Sequence, residues 1–212
     1  MEPGANYRSV ATSIEGFVQQ VAVCYLKNHY WFYVAGFIRA GRDPLEVDRQ
    51  IIGRYGIALS KWGRFRRRQT GAASLQYIRF ERTFLILATP GKHPFLERER
   101  GAIRDAREEP IKFAGYALGF RGGHASVRIE REQFKLLKAH FCEVATKRRA
   151  GELRDALRNL PFEPYAPVRN QLYGLLREVN RTRARAGLPP IPENCFRRWR
   201  RSVKPFDPVS AT

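Results

Sequence analysis

Residues 75–89 of the chain read LQYIRFERTFLILAT, and the predicted fold is built outward from this stretch. Residues 75–80 and 83–89 are short runs rich in β-branched and aromatic side chains, a composition typical of strands. Only Glu81 and Arg82 separate the runs, which is few enough to join antiparallel strands, although neither is the glycine that most two-residue turns contain. We therefore predict a β-hairpin and leave its turn type open.

Upstream of the hairpin, the sequence predicts a strand followed by a helix. Residues 30–38 are a nearly continuous run of aromatic and aliphatic side chains, which indicates a central strand covered on both faces. Asp43 and Pro44 are a cap and a proline of the kind that begins helices, and Gly56 is suited to end one. A helix over residues 43–55 therefore precedes the hairpin.

Downstream of the hairpin, a charged helix is predicted over residues 95–108, a strand over residues 112–120, and a further strand over residues 125–129 that would extend the sheet. The order strand-helix-strand-strand-helix-strand predicts an α+β fold: a ferredoxin-like (βαββαβ-type) antiparallel sheet preceded by an N-terminal helix. RNA-binding domains often use an open sheet face of this kind, where aromatic side chains stack on bases.

From Glu130 onward the apolar spacing is helical almost throughout, apart from a proline-rich connector at residues 161–167. The sequence thus predicts two domains. Residues 1–130 form an α+β sheet domain with a basic loop at residues 61–70. Residues 131–212 form a helical, arginine-rich extension packed on it.

The charge balance indicates the class of partner. The 212 residues include 39 Lys and Arg against 20 Asp and Glu, a net charge of +19, and 31 of the basic residues are arginine. Such an excess repels itself unless it meets a polyanion, and the obvious polyanion inside cells is nucleic acid. Guanidinium groups also bond phosphate oxygens in a fork and stack on bases. We therefore expect a nucleic-acid partner, with RNA favoured over DNA.

One segment combines cations with aromatic rings at close spacing. The residues able to engage a nucleic acid there are Lys61, Trp62, Arg64, Phe65, Arg66, Arg67 and Arg68. The arginines would contact phosphates, and Trp62 or Phe65 would stack on an unpaired base, an interaction worth about 1–3 kcal/mol per base. The alternative interpretation is that both aromatic rings anchor the segment in the core while the arginines are merely solvated.

A second basic cluster lies near the C-terminus. On a helix predicted over residues 168–186, three arginines four residues apart share one face and form a stripe suited to a duplex groove or a structured RNA backbone. These are Arg177, Arg181 and Arg185, and the end of the chain adds Arg197, Arg198, Arg200 and Arg201. The alternative is a solvated face partnered by Glu178. Trp199 is either a stacking platform or an anchor into the core.

Catalytic chemistry has weaker support in the sequence. The four histidines form no metal-ligand pair on one element, and neither a CxxC pair nor a GxxxxGK[ST] phosphate loop is present, so no metal and no cofactor is predicted. A metal-independent RNA endonuclease would need a His or Tyr near the 2′-hydroxyl together with cations. The candidates are His29, Tyr30 and His124, each on or beside a strand end. An ordinary polar residue at a loop is the simpler interpretation of each.

Two further observations concern location. No stretch approaches about 18 uninterrupted apolar residues, so neither a membrane span nor a membrane partner is expected. The three cysteines, Cys24, Cys142 and Cys195, are odd in number and widely separated, which favours a reduced, cytoplasmic setting over a disulfide framework.

The favoured hypothesis is a non-enzymatic protein that binds structured RNA as the protein part of a ribonucleoprotein, alongside a protein partner and in the context of a bacterial mobile element. The second hypothesis is a nucleic-acid-processing enzyme, either a metal-independent RNA endonuclease or a DNA strand-transfer or replication protein. A third hypothesis, a scaffold for acidic proteins, predicts no salt-sensitive affinity for nucleic acid.

Overall fold

A computed structural model describes residues 7–206, so the outermost residues of the two predicted domains lie outside the described range. The described residues fall into two compact units: residues 7–111, 118–125 and 203–206, and residues 112–117 and 126–202. Within them are seven α-helices and seven strands, and the strands form two antiparallel sheets. The predicted α+β class is confirmed, while the predicted domain boundary at residue 130 stays a prediction.

The elements up to the end of the first sheet are α1 (Ile14–Gln19), a π-helical turn (Gln20–Tyr25), a 3-10 turn (Leu26–Asn28), β1 (Phe32–Phe37), α2 (Pro44–Arg54), α3 (Lys61–Gln69), β2 (Leu75–Phe80), β3 (Thr83–Ala88), α4 (Pro94–Arg98) and β4 (Arg104–Asp105). They are followed by β5 (Ile111–Phe113), β6 (Tyr116–Arg121), β7 (His124–Ile129), α5 (Arg131–Val144), α6 (Ala150–Arg158), α7 (Ala166–Arg185) and a 3-10 turn (Glu193–Cys195).

The predicted hairpin is present and lies at one side of the first sheet. Strands β2 and β3 pair antiparallel, with Leu75 opposite Ala88 and Phe80 opposite Thr83. Strand β1 pairs with the other edge of β3, and β4 pairs with β1, so the strand order is β2-β3-β1-β4. Glu81 has a φ of +51°, the left-handed conformation that allows two residues to connect the strands without a glycine.

A hydrophobic cluster of the first unit lies on one face of this sheet. Leu75, Tyr77 and Ile86 point into it from the strands, and they pack with Tyr55, which follows α2, and with Phe95 of α4. The rings of Tyr55 and Phe95 meet edge-to-face with centroids 5.2 Å apart. Burial of these large apolar side chains is the dominant stabilising contribution to this unit.

A buried polar cluster fixes α2 against the sheet. Asp48 of α2 accepts a hydrogen bond from Arg79 Nε at 2.9 Å and another from the Tyr77 hydroxyl at 2.5 Å, and all three side chains are buried. Burial, and secondly the neighbouring Asp48 carboxylate, raise the pKa of Tyr77 well above its ordinary value. The Tyr77 hydroxyl therefore stays a donor, and the buried charges of Asp48 and Arg79 satisfy each other.

The predicted fourth strand of the sheet is wrong in position. Residues 112–120 do not form one strand: Ala114 and Gly115 both have positive φ, +46° and +78°, and turn the chain back between β5 and β6. These strands belong to a separate sheet of order β5-β6-β7, so β7 does not extend the first sheet either. The place beside β1 is taken by β4. The ferredoxin-like arrangement remains a prediction.

Three other local predictions are corrected. The helix predicted over residues 95–108 is only α4, because the chain leaves the helix at Glu99 and residues 104–105 pair with β1 instead. Strand β1 is not covered on both faces, since only Tyr33 among its six residues is buried and Phe37 at its far end is 66 % exposed. The basic segment at residues 61–70 is a helix rather than a loop.

The second unit contains the helical region predicted from the sequence. Helix α7 buries an apolar stripe consisting of Val168, Leu172, Leu175, Leu176 and Val179. Arg183 of the same helix is only 2 % exposed and donates hydrogen bonds to the carbonyl oxygens of Ala145 at 2.6 Å, Arg148 at 3.0 Å and Pro189 at 2.8 Å. One guanidinium thus joins the end of α5 to the segment that follows α7.

Membrane-spanning helices are absent from residues 7–206.

Candidate nucleic-acid interface

Residues 61–69 form helix α3, rather than the predicted loop, because most of them have high helix propensity. Arginine, lysine and glutamine are good helix formers, and the segment contains no proline. Ser60 caps its beginning, where the side-chain oxygen accepts a hydrogen bond from the backbone N–H of Gly63 at 3.1 Å. Gly71, with a φ of +72°, follows Thr70 and ends it.

The inner face of α3 carries two of the predicted phosphate-binding arginines. The guanidinium of Arg64 donates to the carbonyl oxygen of Leu59, and the backbone oxygen of Arg64 accepts from Ser74 Oγ at 3.2 Å. Arg67 Nη1 lies 3.3 Å from His93 Nε2. Burial, and secondly the charge of Arg67, lower the pKa of His93. Both arginines are therefore engaged within the first unit.

The outer face of α3 carries the aromatic residues and the remaining cations. Trp62 is 72 % exposed and Phe65 is 46 % exposed, with their rings edge-to-face and centroids 6.2 Å apart. Three exposed cations flank the rings: Lys61, Arg66 and Arg68. Among residues 7–206 none of these three lies within 4.0 Å of a carboxylate. Neither aromatic ring is buried in the core.

In the second unit, the predicted arginine stripe lies along one exposed side of α7. Arg177, Arg181 and Arg185 are all exposed. Arg181 Nη1 forms an ion pair with Glu178 at 2.9 Å, and Lys138 of α5 lies 3.8 Å from the same carboxylate. Exposed pairs of this kind contribute little free energy and exchange readily, so Arg181 can be released to another anion.

The C-terminal basic segment of the second unit is held by a buried carboxylate. Glu163, only 4 % exposed, accepts from Arg197 Nη1 at 3.1 Å and from the backbone N–H of Arg201 at 2.9 Å. Arg200 lies over the ring of Tyr165 at 4.7 Å from its centroid. Between these anchors, Arg198 is exposed and Trp199 is 85 % exposed. The segment therefore presents Trp199 to solvent from a fixed backbone.

The three candidate catalytic residues differ in exposure, and only one of them is buried. His29 is exposed and has a φ of +69°. Its ring is edge-to-face with that of Trp31, with the two ring centroids 4.9 Å apart. Tyr30 is 5 % exposed, so its ring faces the core rather than solvent. His124 is exposed at the start of β7. No hydrogen bond or ring contact joins His29 to His124 within residues 7–206. The same residues contain no group of three side chains that could hold a metal ion.

The sequence did not single out a cation–aromatic cluster around Trp31. The guanidinium of Arg107 lies 4.5 Å from the centroid of the Trp31 ring, and Phe120 packs on that ring at 5.2 Å. Arg107 also forms a two-pronged ion pair with Asp105, with contacts of 3.0 and 2.6 Å, and these hydrogen bonds lower the pKa of Asp105. Because its cation is already paired, this cluster supports the local fold rather than a ligand.

Comparison of the sequence with models of known families and with characterised proteins found no match.

Proposed function

We propose that the protein binds structured RNA, in preference to DNA, as the protein part of a ribonucleoprotein, with the outer face of α3 as its principal contact. The observation that carries this proposal is the exposed pair of Trp62 and Phe65 on a helix that has no acidic residue and three cations without a carboxylate partner in residues 7–206. Base stacking needs an accessible ring, and phosphate binding needs a cation without a partner. Helix α3 supplies both within nine residues.

The preference for RNA rests on the kind of contact that these rings can make. Trp62 and Phe65 lie on a helix surface where they reach only bases that are outside a duplex stack. Structured RNA offers such bases in loops and bulges, and proteins commonly recognise them by stacking on aromatic side chains. A continuous B-form duplex offers phosphates to Arg66 and Arg68 but no unpaired base to the rings.

The second unit, considered by itself, has a similar combination. Trp199 is exposed beside Arg198, and the exposed arginines of α7 add further cations. This unit contains 19 basic and 8 acidic residues, so it is strongly cationic as a whole. A site in each unit would let one RNA engage the protein at two places, which raises the affinity through effective concentration.

We also propose that the first sheet belongs to the ferredoxin-like class, with β4 as its fourth strand. The order β2-β3-β1-β4, with antiparallel neighbours and with α2 and α4 in the two crossovers, supports this assignment. In that description α3 is an addition to the first crossover, and the stacking residues lie on this added helix rather than on the sheet face.

The proposed setting is a reduced cytoplasm, together with a protein partner and a mobile element as the source of the RNA. Cys24, Cys142 and Cys195 are all free thiols, which supports a reducing compartment. The partner and the mobile element rest on the charge and size of the chain alone.

Removal of the α3 rings tests the proposed function. The probe is a fluorescently labelled RNA hairpin with an unpaired loop, compared at about 100 mM salt with a DNA hairpin of the same stem sequence that is closed by a non-nucleotide linker and so offers no unpaired base. We expect the wild-type protein to bind the RNA more tightly. The double variant Trp62→Ala/Phe65→Ala should lose about thirtyfold or more in affinity for it, since each of the two stacked bases contributes about 1–3 kcal/mol.

Phe37→Ala is the matched control, because Phe37 is equally exposed, lies in the same unit and has no place in the proposed surface. It should keep the wild-type affinity. The proposed function fails if the wild-type protein binds neither hairpin. The assignment to α3 fails if Phe37→Ala and the double variant lose affinity equally.

A further inference from the structure

A large open cleft of about 1240 Å³ lies within the first unit, and none of its residues belongs to the outer face of α3. One wall is the N-terminal segment at residues 7–10, and a second is the side of α2 that carries Leu45, Arg49 and Ile52. The connection between α2 and α3 closes the back, and Arg67 reaches the cleft from the inner face of α3. The lining is mostly apolar, with cations around its edge.

The N-terminal wall is fixed to the edge of the first sheet. The backbone N–H of Arg79 donates to the carbonyl oxygen of Ser9 at 2.7 Å, and the N–H of Ala11 donates to the carbonyl oxygen of Arg79 at 2.7 Å. The Tyr7 hydroxyl donates to Gln76 Oε1 at 2.9 Å and accepts from the backbone N–H of Tyr77 at 2.8 Å. The cleft is therefore formed without a ligand, as small-molecule and nucleotide sites usually are.

The charges around the cleft favour an anionic occupant. Arg8 and Arg49 are exposed, and within residues 7–206 neither lies within 4.0 Å of a carboxylate. The two acidic residues of the lining are both engaged: Asp43 caps α2, and Asp48 is held by Arg79. Three arginines therefore line the cleft against one carboxylate that has no cationic partner within residues 7–206, that of Asp43.

Gly53 keeps the cleft open on the side of α2. No atom lies within 4 Å of the position that a Cβ would take there. Glycine is less favourable than alanine in a helix, and nothing in the packing around Gly53 requires it. A side chain at this position would instead extend into the cleft, which Gly53 lines.

We propose that this cleft binds a short single-stranded run of nucleotides belonging to the RNA that the protein carries. The bases would lie against the apolar side of α2 at Leu45 and Ile52, and the phosphates would meet the guanidinium groups of Arg8 and Arg49. The inference rests on the proposed function, because α3 contributes to both places. A strand that leaves the outer face of this helix is then received by the cleft at its inner face.

The test compares two labelled RNAs: a blunt-ended hairpin with an unpaired loop, and the same hairpin with a single-stranded 3′ extension of about six nucleotides, within the range of site sizes known for single-strand grooves. The wild-type protein should bind the extended RNA about tenfold more tightly than the blunt one. Gly53→Leu fills the cleft from a helix position with free space, and it should abolish this advantage while leaving affinity for the blunt hairpin unchanged. Gly53→Ala is the matched control and should retain most of the advantage.

A second variant guards against a folding effect at Gly53. Arg8→Glu/Arg49→Glu changes two exposed side chains and should also abolish the advantage of the extended RNA, with the thermal melting curve of the wild-type protein. If Gly53→Leu and the arginine variant both keep the higher affinity for the extended RNA, the proposal is overturned. That result is expected if the true occupant of the cleft is an acidic peptide. If the wild-type protein binds neither RNA, the proposed function itself fails. If it binds both RNAs equally, only the cleft assignment fails.

Discussion

The free cations of α3 make a quantitative prediction about salt dependence. Arg66 and Arg68 are exposed and unpaired within the described residues, so each can release one condensed counterion when it binds a phosphate. Replacing both by Gln should lower the slope of log K against log salt concentration by about 1.4 for a single strand and about 1.8 for a duplex. When the salt concentration rises from about 50 to 200 mM, the affinity of the wild-type protein should therefore fall by a factor about ten times larger than the factor for the variant.

Fluorescence anisotropy titrations of a labelled RNA hairpin over that salt range measure the slope directly. The matched control is Arg98→Gln/Arg100→Gln, which removes the same charge from exposed positions of the same unit. Arg98 and Arg100 also form no ion pair within residues 7–206, but they lie outside the proposed surface and should therefore leave the slope unchanged. A slope equal to that of the wild-type protein in the Arg66/Arg68 variant would refute the assignment. An equal fall in both variants would show that net charge, rather than the face of α3, sets the affinity.

Three predictions concern stability. Arg183→Met should lower the free energy of unfolding by about 3 kcal/mol in urea titrations, because it leaves the buried carbonyl oxygen of Ala145 and the part-buried ones of Arg148 and Pro189 without their donor; an effect below about 1 kcal/mol would contradict this. Asp48→Asn should cost about 3–5 kcal/mol in the same assay by leaving Arg79 buried without its counter-charge, and a neutral result would count against the buried pair. The lowered pKa of His93 means that the unfolded chain takes up a proton on His93 more readily than the folded protein does. The contribution of His93 to the free energy of unfolding is therefore largest above about pH 6.5 and decreases as the pH falls below that value. His93→Asn retains a side-chain oxygen to cap α4 and should remove this decline between about pH 7 and 5, whereas an unchanged pH profile would exclude His93 as its origin.

Local signals were sufficient where a few neighbouring residues determine the conformation. Asp43 and Pro44 begin α2 as predicted, with the Asp43 carboxylate capping the backbone N–H of Leu45 at 3.1 Å. The hairpin of β2 and β3 appears within one residue of its predicted bounds. In both cases the determining contacts lie within a few positions along the chain, and for this reason composition and spacing reveal them.

The errors in the fold arose where the determining contact is distant in sequence. Strand β4 has only two residues, and it exists because residues 104–105 pair with β1, about seventy positions earlier. No pattern of that length can be detected in a sequence, so the charged residues around it were assigned to a long helix. The split of residues 112–120 into two strands depends instead on the positive φ of Ala114. Alanine rarely adopts this conformation, so an alanine in the sequence does not predict a turn.

The placement of the arginines explains why the site could be predicted only in part. The sequence treats Arg64, Arg66 and Arg67 alike, yet the structure directs Arg64 to the carbonyl oxygen of Leu59 and Arg67 toward His93, and leaves Arg66 in solvent. Elsewhere Arg183 is buried among carbonyl oxygens and has a purely structural use. Net charge thus overstates the number of cations available to a polyanion. Only arginines whose guanidinium groups lack a protein partner can exchange water and counterions for phosphate, and these are the residues that should carry the salt dependence.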